Sequence, residues 1–353
     1  MQEQACLLPM RGRDLVIAFD LPQMWNAVMQ TTINSMAPYL QENAEKLQSE
    51  DGLNVAELEE ATIIFKKNFR YFLAKKIEKI CKIVISHGRY RYDRLKIVLI
   101  RDCSRKYNWR SLLIDSQEGL EEETPYKRVR NTRKRRFSTR NGVLEINVPP
   151  LLTMINDIID SFNKPDLIEF QSHSKTDLFR LQVQNEQIKL TDGKIIEIGA
   201  EADDIIAIMC QHINRDKAYL VAISNDMDFC QLLDRFAHFQ LYNIKGTHQR
   251  LTYNSRLVPH LIALKGKRSS GLKSLLKPDD INKIKVDIER GSIKRVSDLE
   301  TRLRQLIRNP NTCYTSSLFE DLEYSLRCIS FQEINHAVKS VIVHRLQRTT
   351  GLI

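Results

Sequence analysis

Acidic side chains stand at the ends of four separate apolar runs in this sequence. Asp20 closes "LVIAF" (15–19), Asp102 follows "KIVLI" (96–100), Glu201, Asp203 and Asp204 follow "KIIEIG" (194–199), and Asp226 and Asp228 follow "AYLVAISN" (218–225). Each has an ordinary explanation on its own, because Asp suits turns and acids in a first helical turn offset the positive end of the helix dipole. Seven carboxylates in four such places point instead to a shared site. Like charges about 4 Å apart repel by roughly 4 kcal/mol at an effective dielectric near 20, so such a cluster holds protons or binds cations. No His or Cys interleaves with these acids, and a set of hard oxygen ligands suits Mg²⁺ or Mn²⁺ and argues against zinc. Two such ions about 4 Å apart would activate a water, hold a scissile phosphate and stabilise the leaving oxygen, the two-metal route to phosphodiester hydrolysis.

The elements that would position these acids alternate along the chain. Strands are expected at 15–19, 95–100, 193–199 and 217–224, with a last one at "HFQLYNI" (238–244). Helical patterns follow Asp20, cover roughly 55–86, start at Pro149 and Pro150, and run from the acidic cluster to about Ile213. Short apolar runs alternating with helices predict an α/β fold, a central mostly parallel sheet with helices on both faces, in which sites form beyond the carboxyl ends of the strands. All seven acids would then lie on one edge. Residues 103–142 are polar and basic, with little sign of a core face, and read as a long excursion from the domain. Residues 165–190 stay ambiguous, a strand and a hairpin being one reading.

Composition sets the frame. At 353 residues, 42% hydrophobic and 28% charged, the chain is long enough for one large or two modest domains. No membrane-spanning run or secretory leader is evident, so a cytosol-like compartment is expected, a host cytoplasm if a phage or virus encodes the protein. Seven cysteines without a CxxC pair read as buried small hydrophobes rather than disulfides or zinc ligands. The net charge of +10 favours polyanionic partners. It is concentrated in "YKRVRNTRKRRFSTR" (126–140), bracketed by Tyr126 and Phe137, which reads either as a solvated loop or as a segment that tracks phosphates.

"GAEADDIIA", "ISNDMDF", an Asp closing the first strand and "IRDCSRKYNWR" together resemble the flap endonuclease and 5'-3' exonuclease family, of PIN-like nuclease fold, over roughly residues 13–275. The subtype nearest in pattern is the ribonuclease H of T-even phages, on Asp102 followed by Tyr107, Trp109 and Arg110 and then "PYKRVR" (125–130), which resembles an aromatic-basic arch. The resemblance implies a nuclease domain over 11–250 with its arch at about 103–142, then a helix-loop-helix duplex-binding element and a helical region over 251–353. It implies that Asp20, Asp102, Glu201 and Asp203 hold the first Mg²⁺ or Mn²⁺, that Asp226 and Asp228 link it to a second ion, and that Asp204 is a further ligand, direct or through water. Asp203 and Asp226 would be essential to catalysis, with Arg110 and Lys127 on the scissile phosphate, and Arg128 or Arg130 as alternatives to Lys127.

One departure concerns the helix-loop-helix, matched here by "LVPHLIALKGKRSSGLKSLL" (257–276): Gly266 is kept, while Lys267 and Ser270 stand where the family has Asp. The second ion would then be weakly held or absent, with Lys267 standing in for part of its charge. Arg105, Lys106, Arg128, Arg130, Lys265, Gly266, Lys267, Arg268 and Lys273 are the expected contacts to nucleic acid, with backbone N–H groups of a second helix assisting. The substrate would be DNA with a 5' flap or fork, or an RNA–DNA hybrid, as in primer removal. A single-strand-binding protein or a clamp would be a natural partner, and no membrane is involved. Two alternatives stand beside this: a catalytically weak fork-binding protein with an incomplete second metal site, and a PIN-type ribonuclease acting on single strands.

Overall fold

Alternation along three strands sends every second side chain to an opposite face of one sheet. Leu15, Ile17 and Phe19 pack on one side with Leu95, Ile97, Leu99, Tyr219, Val221 and Ile223. Val16 and Ala18 pack on the other with Val98, Ile100, Leu220 and Ala222. Both faces being apolar, these strands need a layer on each side, as parallel sheets do.

The computed structural model describes residues 13–88, 92–113, 134–140, 142–190, 192–267, 271–310 and 312–353. The chain begins β1 (Asp14–Asp20), α1 (Leu21–Glu42), α2 (Ala44–Leu47), β2 (Gln48–Ser49), β3 (Gly52–Leu53), α3 (Glu59–Gly88), β4 (Arg94–Ile100) and α4 (Trp109–Leu113). It continues β5 (Lys134–Thr139), β6 (Gly142–Asn147), α5 (Val148–Ser161), α6 (Ile168–Gln171), β7 (Thr176–Leu181), β8 (Glu186–Lys189), β9 (Ile195–Ile198), α7 (Ala202–His212), β10 (Ala218–Ile223) and β11 (Phe239–Tyr242). It ends α8 (Val258–Lys265), α9 (Pro278–Glu289), α10 (Val296–Arg308), α11 (Ser317–Ile329) and α12 (His336–Thr350).

The central sheet has the order β11-β10-β1-β4-β7, and every pairing in it is parallel. Residues of α1, α3 and α5 fill the core on one face. Those of α7 and α8–α12 fill the core on the other, so the C-terminal helices share a core with the sheet, α12 lying on α7 and β7. Each Leu, Ile or Phe fully buried in these layers contributes roughly 1.5–3 kcal/mol. The chain leaves β1 towards β4 and β7, then returns to the other side of β1 to lay down β10 and β11. The strand order therefore reverses between β1 and β10, where α/β sheets open a crevice. No helix among the described residues is long and apolar enough to cross a membrane.

Three expectations need correction. The run at 193–199 is not a strand of the central sheet: β9 pairs antiparallel with β8 in a two-stranded hairpin, and the fifth central strand is β7. The excursion over 103–142 is shorter than its polarity suggests. Trp109 is buried, and β5 and β6 form a hairpin that buries Phe137 in the α1/α3 core, so Phe137 is no aromatic bookend. Finally, residues 271–277 form no helix; the chain after α8 is held by Leu275 and Leu276 N–H bonds to the Leu264 carbonyl, and the next helix starts at Pro278.

Candidate metal centre

Register decides which acids meet. Asp20 lies level with Ile100 of β4, and Phe19 with Ile223 of β10. Asp102 and Asp226, just beyond those two strands, therefore flank Asp20. Ser224 ties the edge together: its hydroxyl donates to Asp20 Oδ2 at 2.7 Å and accepts from the Asp226 N–H at 3.0 Å. Asp226 Oδ1 in turn accepts from the Asp228 N–H at 3.0 Å, capping the 3₁₀ turn Met227–Gln231. On the other flank, Asp102 Oδ1 accepts from the Ala202 N–H at 2.8 Å, so the acid after β4 caps the first turn of α7. That turn carries Asp203 and Asp204, with Glu201 just before it. Glu201, Asp203 and Asp204 each bring a carboxylate oxygen within 4.8 Å of the others.

The electrostatics follow from this crowding. Asp20 is raised well above the usual carboxylate range, first by burial, then by Asp102, with Asp203 and Asp226 adding to it and the Ser224 bond opposing. Asp228 is pushed up to about 6, again first by burial, against the pull of the Lys267 ammonium. Asp226 goes the other way: burial would raise it, but Lys267 and the Asp228 N–H together hold it below its ordinary value.

Among the described residues, two cations enter the cluster. Arg110 is 2% exposed. Its guanidinium grips Asp204 through Nη1 to Oδ2 at 2.8 Å and Nη2 to Oδ1 at 2.6 Å, and it lies 3.6 Å from Glu201 Oε2. Trp109 Nε1 donates to the same Asp204 Oδ2 at 2.7 Å. Arg110 is thus not placed on a substrate phosphate, as expected, but inside the protein, because a fully buried Asp204 requires a bidentate partner. Asp204 offers an oxygen to the acidic group, yet its charge is already matched by Arg110. The second cation is Lys267, whose Nζ lies 3.2 and 3.0 Å from the two oxygens of Asp226 and 2.7 Å from Asp228 Oδ2.

The residues present suit a divalent ion on chemical grounds. The acids on the Asp20 flank are all hard oxygen donors, the strongest charged influences on Asp20 are themselves acids, and Asp228 Oδ1 is buried with no hydrogen-bond partner among the described residues. A cation relieves both conditions. Hydrogen bonds and charge interactions relate Asp20, Asp102, Asp203, Asp226 and Asp228, and Glu201, Asp203 and Asp204 form one close carboxylate group. Trp109 stands in the sequence motif but with no role assigned, and Ser224 has no sequence signal beyond its place between a strand end and Asp226.

The expected nucleic-acid contacts divide. Lys106, Lys265 and Lys273 are exposed, with Lys106 over the Tyr107 ring at 4.4 Å. Lys267 points at carboxylates instead. Lys127, Arg128, Arg130, Arg268 and Ser270 lie outside the described residues, as does the side chain of Arg105.

No protein-family model and no curated protein matches the sequence. Among solved structures, the chain is similar to a bacteriophage T5 protein co-crystallised with metal ions, at 12% identity and a TM-score of 0.45 over 95% of this chain and 98% of that one. It is likewise similar to a mutant of the T5 5'-exonuclease, at 11% identity and a TM-score of 0.46 over the same shares. A third is the bacteriophage T5 flap endonuclease in a pseudo-enzyme–product complex with DNA and metal ions, at 12% identity and a TM-score of 0.46, again covering 95% of this chain and 98% of that one.

Proposed function

We propose that the protein is a divalent-metal-dependent, structure-specific 5' nuclease of the flap endonuclease and 5'-3' exonuclease type, with a PIN-like core. Its substrate is DNA with a 5' flap or fork, or an RNA–DNA hybrid of the kind left by primers, and the T-even ribonuclease H likeness belongs to this proposal. One observation carries the reading: acids from four distant segments converge where the strand order reverses, leaving Asp20 buried among Asp102, Asp203 and Asp226.

Asp20, Asp102, Glu201 and Asp203 would hold the ion. When bound, Mg²⁺ or Mn²⁺ supplies a more acidic water and positive charge for the scissile phosphate. The chain does the rest. Ser224 fixes Asp20 and Asp226 relative to each other. Asp102 orients α7 through the Ala202 N–H. Arg110 and Trp109 lock Asp204, and with it the first turn that carries Asp203. Lys106, Lys265 and Lys273 offer exposed ammonium groups to a phosphate backbone, and Lys127, Arg128 and Arg130 remain proposed phosphate contacts from the basic segment.

Asp203→Asn and Asp226→Asn, assayed on a 5'-labelled flap with Mg²⁺ or Mn²⁺, test the reading. It predicts loss of cleavage with flap binding retained, and undiminished cleavage removes these acids from the mechanism. The Lys267 contacts favour a second reading, a fork-binding protein with feeble catalysis. Tight fork binding by the wild type with no cleavage across a metal titration would decide for it.

A further inference from the structure

We propose that the Lys267 ammonium is a built-in cation that takes the place of a second divalent ion at Asp226 and Asp228, so that the chain takes up a single divalent ion, on the Asp20 side of the cluster. This deepens the nuclease reading, but it concerns how many ions the acids hold and is measured separately from cleavage.

The first ground is contact. A single Nζ lies within 3.2 Å of three oxygens on two acids, as a cation linking Asp226 to Asp228 has to. The Lys267 side chain is 19% exposed and that of Asp228 5%, so the ammonium sits within the cluster rather than at its rim. The second ground is delivery. α8 stops at Lys265, and Gly266 turns the chain at φ +76°, where an added Cβ would stand 2.6 Å from the backbone of Lys273 and Ser274. Only glycine fits that close approach in that conformation. Lys267 itself is then clamped by two backbone bonds with Leu272, its N–H to the Leu272 carbonyl at 3.0 Å and its carbonyl from the Leu272 N–H at 3.1 Å. α8 also packs on the Met227–Gln231 turn that bears Asp228. The ammonium is therefore held at the acids by backbone, not left to the freedom of a surface lysine.

The third ground is asymmetry. Lys267 Nζ touches Asp226 and Asp228, whereas the Asp20 carboxylate accepts from a neutral group, the Ser224 hydroxyl. Asp228 Oδ2 accepts from Lys267, while its Oδ1 is buried without a hydrogen-bond partner among the described residues. An ammonium neutralises charge but offers no coordination position to a water or a phosphate, so all metal chemistry falls to one ion.

Mn²⁺ binding to the full chain, by calorimetry and by counting free Mn²⁺ in electron paramagnetic resonance, tests this on wild type, Lys267→Ala and Lys267→Arg, with circular dichroism and melting curves alongside. The expected counts are one Mn²⁺ per chain for wild type and Lys267→Arg, and two for Lys267→Ala, whose melting temperature in chelator falls below wild type and recovers more on Mn²⁺ addition. Two ions in wild type, or a folded Lys267→Ala that still takes one, overturn the proposal. If Lys267→Ala does not fold even with Mn²⁺, the wild-type count decides, one supporting and two or none overturning. One ion in wild type and two in Lys267→Ala with no flap cleavage by either would leave this inference standing and remove the nuclease reading.

Discussion

Arg110 and Lys267 place positive charge among the same carboxylates by opposite means. Arg110 arrives on α4, a few residues beyond β4, and is sealed in: a bidentate grip on Asp204, the Trp109 indole sharing the same acceptor, and the guanidinium 4.6 Å from the Trp109 ring centre. Lys267 arrives from a loop far along the chain, on a glycine pivot, and keeps one side towards solvent. A planar, always-charged fork suits a permanent internal pair, while a compact ammonium on a flexible stem suits a place that an ion could fill. The difference teaches that a cluster of seven acids is not one electrostatic object. One end is neutralised as part of the fold and the other by a loop residue.

The largest effect is expected of Arg110→Ala, which strands Asp204 as a buried charge and should lower unfolding free energy by about 3–5 kcal/mol in denaturant titration. If the variant keeps wild-type stability and loses only cleavage, Arg110 meets a phosphate after all. Asp203→Asn should keep the fold and reduce flap cleavage about 10²–10³-fold, the scale on which loss of one electrostatic contact to a transition state is felt. Gly266→Ala should cost about 1–3 kcal/mol of stability, because φ +76° and ψ 156° suit glycine alone. The same variant should lower the salt dependence of apo stability by moving Lys267 off Asp226 and Asp228; unchanged melting would show that the pivot is not needed.

The smallest effect concerns pH. A carboxyl whose folded pKa is raised makes the native state bind more protons than the unfolded chain. Stability is then full below about pH 4 and declines as pH rises towards the folded value. Asp20 gives the metal-free protein this sign, and Asp228 adds to it up to about pH 6. In chelator, the apo-stability advantage of Asp20→Asn over wild type should grow as pH rises through that window, and divalent ions should shrink it. Asp20→Asn should raise apo stability at pH 8 by about 0.5–2 kcal/mol. An advantage of Asp20→Asn that stays constant or shrinks from pH 5 to 8 would contradict the sign.

The acids were legible because two features coincided. Buried parallel strands announce themselves as apolar runs, and their register puts whatever follows β1, β4 and β10 on one edge. Periodicity marks 193–199 as a strand without naming its neighbour, which is β8, one turn away, and not the central sheet. Arg110 was assigned to substrate because a sequence does not say whether an arginine faces water or a buried acid 94 residues later. "GLKSLL" carries helical spacing, yet it runs only a few residues before Pro278, and its backbone bonds return to α8. Phe137 lay hidden among basic residues, since alternation within one short strand exposes Arg136 while burying its neighbour.

The most direct test of the account is an anomalous difference map from a crystal soaked in Mn²⁺. One peak within coordinating distance of Asp20, Asp102 and Asp203, with Lys267 still between Asp226 and Asp228, is the predicted result. No peak beside these acids at saturating Mn²⁺ would contradict the account.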